Sequence, residues 1–145
     1  MSPQSDDDIA KALTDLVRDY DKYWSSLDFV GLADLWEPEG PQPIYLADEY
    51  ASPLVGNDEL DRHWARIASR VKAASMSSSL HAFDVVDDGV VRAVLLSRWR
   101  LTDRESDFER AGASWVTWLL IRRDERYRIV HHMESQVYLT ESQGE

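Results

Sequence analysis

Two adjacent histidines lie near the end of the chain, in the segment YRIVHHMESQVY at residues 127–138. An imidazole titrates near neutral pH, so a histidine beside a desolvated pocket is suited to proton transfer. Because alternate side chains of a strand face opposite sides, strict alternation places His131 and Met133 on the more apolar, inward face. The same alternation places His132 on the outer or dimer face with Glu134. His131 is therefore a candidate catalytic base, and a hydrogen-bonded core histidine is the alternative interpretation.

Further candidate catalytic groups lie in IYLADEY at residues 44–50 and on a later strand. Asp48 and Glu49 follow Tyr45 at the end of a short strand. A carboxylate that is partly buried in an apolar pocket has a raised pKa and becomes a usable general acid or base. Tyr45 could donate a hydrogen bond to a substrate oxygen, and an inward His81 could remove a proton. Solvated loop acids and a histidine without chemistry are the alternatives.

Aromatic side chains are abundant, with six Trp and six Tyr. They could fill a core, or they could line a pocket for a flat apolar ligand. Trp115 and Trp118 must face opposite ways, one into the core and the other into a subunit interface. Arg98 is expected on the outer face, and an inward Arg98 would be an anion or oxyanion clamp. The candidate substrate-binding residues are Tyr23, Trp24, Trp64, Arg98, Trp99, Trp118 and Met133.

No metal ion or cofactor is expected from the motifs present. Adjacent histidines on a strand diverge, so they cannot easily chelate one metal ion together. The chain has no cysteine, which excludes disulfides, thiolate nucleophiles and cysteine-ligated zinc. It also has no G-x-G-x-x-G phosphate loop and no G-x-S-x-G nucleophile motif.

The elements that must position these groups change from helical to extended along the chain. Ser5 and three following acids predict a capped helix start, and apolar residues then recur at steps of three and four. We predict two further helices, from near residue 28 to 37 and from 57 to 71, and a short strand in IYLADEY. Four longer strands are expected at residues 74–86, 90–101, 109–122 and 127–139. Helices followed by an antiparallel meander indicate an α+β fold with a curved sheet wrapped around three helices.

Length and charge limit the partners. The 145 residues suit a single domain, residues 1–145, with residues 1–5 and 141–145 frayed. The net charge of −11 disfavours nucleic acid and anionic membrane surfaces. No secretory signal is visible, and no apolar run approaches the roughly 20 residues of a membrane span. We therefore expect a cytoplasmic protein.

The chain resembles the NTF2-like superfamily and, within it, the SnoaL-like group, over about residues 9–138. The likeness is carried by the order of elements and by three segments: WSSLDFVGLADLW at 24–36, PLVGNDELDRHW at 53–64 and SWVTWLLIRRDERYRIVHH at 114–132. The resemblance implies a cone formed by a curved sheet and three helices, with a pocket inside and dimerisation through the outer sheet face. The superfamily includes dehydratases, isomerases, cyclases, other lyases and members that only bind.

In several enzymes of this group, a carboxylate on the first helical segment pairs with a strand histidine. The resemblance aligns that acid with Trp24 or Ser25 and that histidine with Ser78, or with His81 in a looser alignment. The acid of the pair is therefore missing, and Tyr127 and Met133 also depart from the group's final-strand pattern, Trp-Arg-Ile-Val-His-His-His.

The favoured hypothesis is a cofactor-independent lyase or isomerase that uses general acid–base catalysis on a small, apolar, aromatic or polycyclic substrate. Dehydration, a double-bond shift and C–C cleavage would use the same groups. The alternative is a non-catalytic module for small-molecule binding or dimeric assembly, including a structural dimer whose own tryptophans fill the cavity. A homodimer is expected under each hypothesis.

Overall fold

The computed structural model describes residues 4–137, which form three helices and six strands. The helices are α1 (Asp6–Ser25), α2 (Phe29–Asp34) and α3 (Asn57–Arg70). The strands are β1 (Ile44–Leu46), β2 (Leu54–Val55), β3 (Val71–Asp87), β4 (Val90–Asp103), β5 (Glu109–Arg123) and β6 (Arg126–Gln136). Within the described residues, no helix is long and apolar enough to cross a membrane.

The chain ends were expected to fray, but residues 1–3 and 138–145 lie outside the described range. The final two residues of the predicted last strand, 138 and 139, lie outside it as well. Ser5 begins the first helix as predicted, because its hydroxyl accepts a 3.1 Å hydrogen bond from the backbone N–H of Asp8.

All six strands form one sheet in the order β2-β1-β6-β5-β4-β3. Neighbouring strands are antiparallel except for β1 and β6, which run parallel. The predicted α+β class and mainly antiparallel sheet are confirmed. The parallel pair matters for the site, because it places Tyr45 beside His132.

Helix α1 packs its apolar stripe against the inner face of the sheet. The stripe contains Ile9, Leu13, Leu16, Val17, Tyr20 and Trp24, all buried. Full burial of a large apolar side chain contributes about 1.5–3 kcal/mol, so this stripe is a major source of stability. The four-residue and three-residue steps in the sequence predicted it correctly.

A bulge in β6 reverses the direction of its side chains. Leu119 of β5 pairs with His131, but the next residue, Leu120, pairs with Ile129, so Val130 is an extra residue. Ile129 and Val130 are consequently both buried, although they are consecutive. Bulges of this kind re-aim side chains. The backbone N–H and C=O of Ile129 also bond to the chain leaving α2, at Leu35 and Glu37, which anchors the strand at this point.

The expectation that His131 and Met133 face inward is therefore wrong. Strict alternation holds as far as Ile129, which is buried on the inner side. After the bulge the phase shifts by one residue, and His132 faces the interior with 2% of its surface exposed. His131 is half-buried on the opposite face, and Met133 is 41% exposed there.

A second register shift, in β3, accounts for His81. Leu80 pairs with Leu95 and Ala82 pairs with Val94, so His81 has no direct partner across the strand pair. Its side chain is exposed, and its ring contacts Trp115 at a centroid distance of 5.0 Å. The prediction of an inward His81 is wrong for the same reason as that of His131: each strand contains an irregularity that the alternation rule does not include.

Candidate functional site

A half-buried carboxylate, Glu134, is the centre of a hydrogen-bonded cluster on the inner face of the sheet. The hydroxyl of Tyr45 donates to Oε1 of Glu134 at 3.1 Å. Nε2 of His132 lies 3.2 Å from the same oxygen. The parallel pairing of β1 and β6 also stacks the rings of Tyr45 and His132, 4.6 Å apart and within 6° of parallel. Two polar groups thus converge on one carboxylate oxygen in apolar surroundings.

The tautomer of His132 follows from its other neighbour. Nε1 of Trp118 donates a 2.9 Å hydrogen bond to Nδ1 of His132. An indole N–H can only donate, so Nδ1 must be the acceptor and the ring proton lies on Nε2. The Nε2–H group then donates to Glu134. His132 therefore orients the carboxylate.

The protonation states of the cluster separate an acid from a base. Burial acts to raise the pKa of Glu134, but the hydrogen bonds from His132 and Tyr45 outweigh it, so the pKa is lowered. Burial and the neighbouring Glu134 carboxylate hold the pKa of Tyr45 well above its usual value. Near neutral pH the cluster contains an ionised carboxylate beside a protonated phenol.

A second hydrogen-bonded group approaches Tyr45 from helix α3. The hydroxyl of Tyr50 lies 2.6 Å from Nδ1 of His63, and Nη2 of Arg66 donates to the same hydroxyl at 3.1 Å. A guanidinium can only donate, so the Tyr50 oxygen accepts from Arg66 and the Tyr50 O–H group donates a hydrogen bond to Nδ1 of His63. The ring proton of His63 therefore lies on Nε2. The centroid of the Tyr45 ring lies 4.4 Å from that of His63 and 4.6 Å from that of His132.

His63 is fully buried, with 0% of its surface exposed. Burial, and then the positive charge of Arg66, lower the pKa of His63 to about 4. It is therefore a neutral imidazole over the physiological range. The positions of Leu60, His63, Trp64 and Ile67 at steps of three and one place it on the buried face of α3.

Aromatic rings close the interior above the cluster. The cavity that remains is small: the centre of a water molecule can occupy a volume of about 10 Å³. A cavity of this size holds roughly one water molecule. Trp24 and Trp64, both predicted to line a pocket, do line this cavity. The full lining is Tyr20, Trp24, Leu32, Leu35, Trp36, Tyr45, Trp64, Ile129 and His132.

The two acids that follow β1 differ in role. Oδ2 of Asp48 accepts a 2.9 Å hydrogen bond from the backbone N–H of Gln136, which ties the loop after β1 to the end of β6. Glu49 is exposed at the rim, yet burial and the nearby charge of Glu134 raise its pKa. Asp48 therefore has a visible structural contact, whereas Glu49 interacts electrostatically with the cluster.

Several predicted binding residues lie away from the cavity. Tyr23 packs its ring against Gly31, so closely that a Cβ there would lie 2.6 Å from Tyr23 Cδ1. Nε1 of Trp99 donates to Ser114 Oγ at 3.2 Å, and Trp99 is not among the cavity residues. Arg98 is exposed on the outer face of β4, so an inward clamp is ruled out.

Trp118 and Trp115 face opposite ways, as predicted. Trp118 is completely buried and bonds to His132, whereas Trp115 is 38% exposed on the outer face. Trp118 therefore stabilises the cluster through its hydrogen bond to His132 and does not line the cavity. On the outer face, burial and the neighbouring His132 lower the pKa of His131.

The positions that the resemblance assigns to an acid–histidine pair carry structural hydrogen bonds here. Ser25 Oγ accepts from the backbone N–H of Met76 at 3.0 Å. The backbone N–H of Ser78 donates to Asp21 Oδ2 at 2.7 Å. Burial raises the pKa of Asp21, although the Ser78 hydrogen bonds partly offset it. Among residues 4–137, no group of three or more His, Asp or Glu side chains is arranged to hold a metal ion.

Known structures resemble this chain in fold at low sequence identity. No protein-family model matches the sequence, and the comparison with curated proteins found no match. A ketosteroid isomerase-like protein from Erwinia carotovora atroseptica is 11% identical with a TM-score of 0.77, covering 93% of this chain and 100% of that protein. A candidate dehydratase from the NTF2-like family of Streptomyces avermitilis is 15% identical with a TM-score of 0.79, covering 93% and 100%.

A candidate scytalone dehydratase from Novosphingobium aromaticivorans is 12% identical, with a TM-score of 0.77 and coverage of 91% of this chain and 86% of that one. The TM-scores show a shared fold. At identities this low they do not show a shared activity, which must be argued from the site. The sheet order, the three helices and these superpositions agree: this chain has the NTF2-like fold.

Proposed function

We propose that this protein is a cofactor-independent enzyme of the lyase or isomerase class, which moves a proton on a small, apolar, flat ligand. The observation that carries the proposal is the convergence of the Tyr45 hydroxyl and the His132 imidazole on one carboxylate oxygen of Glu134. A carboxylate that stays ionised near neutral pH beside an apolar cavity is available as a general base toward a ligand bound there.

Each group of the cluster has a distinct role in this proposal. Both hydrogen bonds to Glu134 end on Oε1, so Oε2 is the atom that takes a proton from a ligand carbon. The electron pair released from that C–H bond forms a double bond. Tyr45 exchanges its bond to Glu134 for one to a ligand oxygen, and His132 fixes the orientation of the carboxylate.

The fate of the proton distinguishes the two reaction classes. In a dehydration, the Tyr45 O–H gives its proton to a ligand hydroxyl as the C–O bond breaks, water leaves, and the proton that Glu134 took from carbon returns to Tyr45. In a double-bond shift, Glu134 returns its proton to a different carbon of the same ligand. Glu49, at the rim with a raised pKa, provides the exchange of protons with solvent between turnovers.

The folds of the isomerase-like and dehydratase-type neighbours support the reaction class, and the substrate is argued only from the lining. That lining is aromatic and aliphatic with few polar groups, which suits a flat apolar molecule. A ligand of several atoms exceeds the cavity of about 10 Å³, so binding requires side chains to move. Tyr50, half-buried in the loop between β1 and β2, is the side chain that we expect to open.

The nearly filled interior favours a second candidate function, a non-catalytic assembly module. In that case Glu134, His132 and Tyr45 form a satisfied polar network inside a packed core, and the tryptophans occupy the space that a substrate would use. A test of catalysis must therefore separate a working base from a structural carboxylate.

The test uses 5-nitrobenzisoxazole, a small flat probe. Its ring opens when a base removes the carbon-bound proton, because the N–O bond then breaks to give a coloured phenolate. We expect the wild-type protein to open the probe faster than free acetate does. Glu134→Gln should lower the rate by about 10²-fold or more, since positioned general bases contribute about 10²–10⁴-fold. Glu105→Gln, an exposed acid in the turn between β4 and β5, is the matched control.

Two results decide between the candidates. If Glu134→Gln folds with a wild-type circular dichroism spectrum and keeps the wild-type rate, Glu134 is not the base. If the wild-type protein is no faster than acetate while the fold is intact, the assembly module is the better description.

We further propose a homodimer formed through the outer face of the sheet. Trp115 and Met133 are exposed there at 38% and 41%, and His81 packs on Trp115. Exposed tryptophan and methionine are enriched at protein interfaces, and clustered apolar groups on one face are unusual for a monomer.

A further inference from the structure

Two tryptophans of the cavity wall have indole N–H groups without a hydrogen-bond partner in the described part of the chain. These are Nε1 of Trp24 on α1 and Nε1 of Trp64 on α3. The Trp24 side chain is close enough to Tyr20 to act against the raised pKa of that phenol, but the pair does not reach hydrogen-bond geometry. Both side chains are deeply buried, each with 6% of its surface exposed, and both rings line the cavity. Their centroids are 6.2 Å apart in an edge-to-face arrangement, so the two groups belong to one wall.

A third donor lies next to this wall. Nε2 of His63 is buried and also has no partner among the described residues. Because Tyr50 donates to Nδ1 of the same ring, Nε2 carries the proton and is a donor too. The unmet groups on this side of the interior are therefore all N–H donors.

Unmet buried donors are costly, and they restrict what can bind. Native proteins pair about nine in ten buried polar groups, and each one left unpaired costs about 1–3 kcal/mol. A group that only accepts hydrogen bonds recovers this energy, whereas a hydroxyl proton or an ammonium directed at an N–H would not. A negatively charged acceptor is disfavoured, because the ionised Glu134 lies in the same interior and bonds to the cavity residues Tyr45 and His132.

The size of the cavity sets the number of atoms. About 10 Å³ for the centre of a water molecule is room for one oxygen. The site must therefore take an acceptor, because its unpaired groups are donors, and that acceptor must be uncharged, because Glu134 is ionised nearby. The volume admits a single such atom.

We propose that the Trp24–Trp64 wall is a subsite for one neutral hydrogen-bond-accepting oxygen. A water oxygen occupies it in the free protein, and the carbonyl oxygen of a ligand replaces that water on binding. The second half of the proposal rests on the proposed function, because it requires that the pocket opens to admit a ligand. A carbonyl held by two N–H donors is polarised, so the C–H bonds beside it become more acidic toward Glu134.

Indole N–H signals in ¹⁵N-resolved NMR spectra test the proposal without any turnover. The signals of Trp24 and Trp64 are assigned with Trp24→Phe and Trp64→Phe. Trp99 and Trp118 are internal controls, since their N–H groups already donate to Ser114 and His132. The two probes are acetophenone, which has a carbonyl acceptor, and α-methylstyrene, which has the same shape with CH₂ in place of the oxygen.

In the free protein we expect a nuclear Overhauser effect from water to the Trp24 and Trp64 indole protons. Acetophenone should abolish that effect and move both signals downfield, whereas α-methylstyrene should not move them downfield. On addition of acetophenone, the Trp99 and Trp118 signals should move less than the Trp24 and Trp64 signals. If Trp64→Phe fails to fold, the shift of both signals in the wild-type protein still decides the question, with Trp24→Phe providing the assignment.

Three results would overturn the proposal in whole or in part. Absence of both the water contact and the acetophenone shift removes the subsite. Equal downfield shifts with both probes mean that ring packing, not the oxygen, causes them. A water contact that persists at saturating acetophenone removes the carbonyl assignment. The NMR experiment measures no reaction, so its result is independent of the rate assay. An acetophenone shift together with a wild-type rate for Glu134→Gln refutes only the proposed base. Absence of the shift together with a reduced rate for Glu134→Gln refutes only the subsite.

Discussion

Burial of a neutral His63 should make the folded protein lose stability in mild acid, and His63→Gln should remove that loss. The unfolded chain has a histidine pKa near 6.5, whereas burial and then Arg66 lower the pKa of folded His63 to about 4. Below about pH 6.5 the unfolded state therefore binds a proton that the folded state does not. The stability of the folded state falls as the pH decreases through this window, and the loss is complete below about pH 4.

The magnitude follows from the two pKa values. A pKa difference of about 2.5 corresponds to a maximum of about 3 kcal/mol, and the part of it reached near pH 5 is about 2 kcal/mol. Near pH 7.5 the contribution is close to zero. Glutamine is uncharged throughout and keeps an oxygen that accepts the Tyr50 hydroxyl proton. The charged and titratable groups that face His63 are Tyr45 on β1, Tyr50 in the loop, Arg66 on α3, and His132 and Glu134 on β6; all of them are the same in both proteins.

The assay is urea unfolding of the wild type and His63→Gln near pH 7.5 and near pH 5. The free energy of unfolding of the wild type should fall by about 2 kcal/mol more than that of the variant over this interval. A histidine titration followed by NMR should show no protonation of His63 in the folded protein above about pH 5. Parallel stability curves for the two proteins would refute the assignment of His63 as a buried neutral group.

Three further perturbations test the supports of the site and the outer face. Trp118→Phe removes the donor to Nδ1 of His132, and an unmet buried acceptor should lower the free energy of unfolding by about 1–3 kcal/mol; a loss below about 0.5 kcal/mol in urea unfolding would contradict this role. Gly31→Ala should destabilise the fold by about 1–3 kcal/mol, because the new Cβ would overlap the ring of Tyr23. An ordinary helical site would instead gain up to about 1 kcal/mol, so a raised melting temperature would refute the packing argument. Trp115→Glu should shift the proposed dimer to monomer in sedimentation equilibrium, and a wild-type protein that is already monomeric at the highest concentration would dispose of the interface.

The parts of the molecule that depend on local pattern were predictable from the sequence. The apolar stripe of α1, the Ser5 cap and the strands predicted at residues 74–86 and 90–101 each follow from short-range spacing or backbone preference, and all are present. Each is set by a few neighbouring residues, which is why a single sequence suffices. The parallel pairing of β1 with β6 joins residues far apart in the chain, and no local pattern indicates it.

The site itself was predicted only in part, and the reason is one residue of register. The segment that carries His132 and Glu134 was singled out, and Tyr45, Trp24 and Trp64 were among the predicted site residues that contact the cluster or line the cavity. The inward histidine was assigned as His131 rather than His132, because alternation was extended through the bulge at Val130. A bulge leaves little trace in the letters of a strand. The buried pair Ile129 and Val130 reads as ordinary β-branched sequence.

The extra residue in β6 also determines which changes of the strand would move the cluster. Deleting Val130 would join Ile129 directly to His131, and these two residues already pair with the consecutive residues Leu120 and Leu119. Residues 131–136 would therefore keep their present faces, and His132 and Glu134 would stay on the inner side. A strand of unchanged length without the bulge would instead turn His131 and Met133 inward and His132 and Glu134 outward.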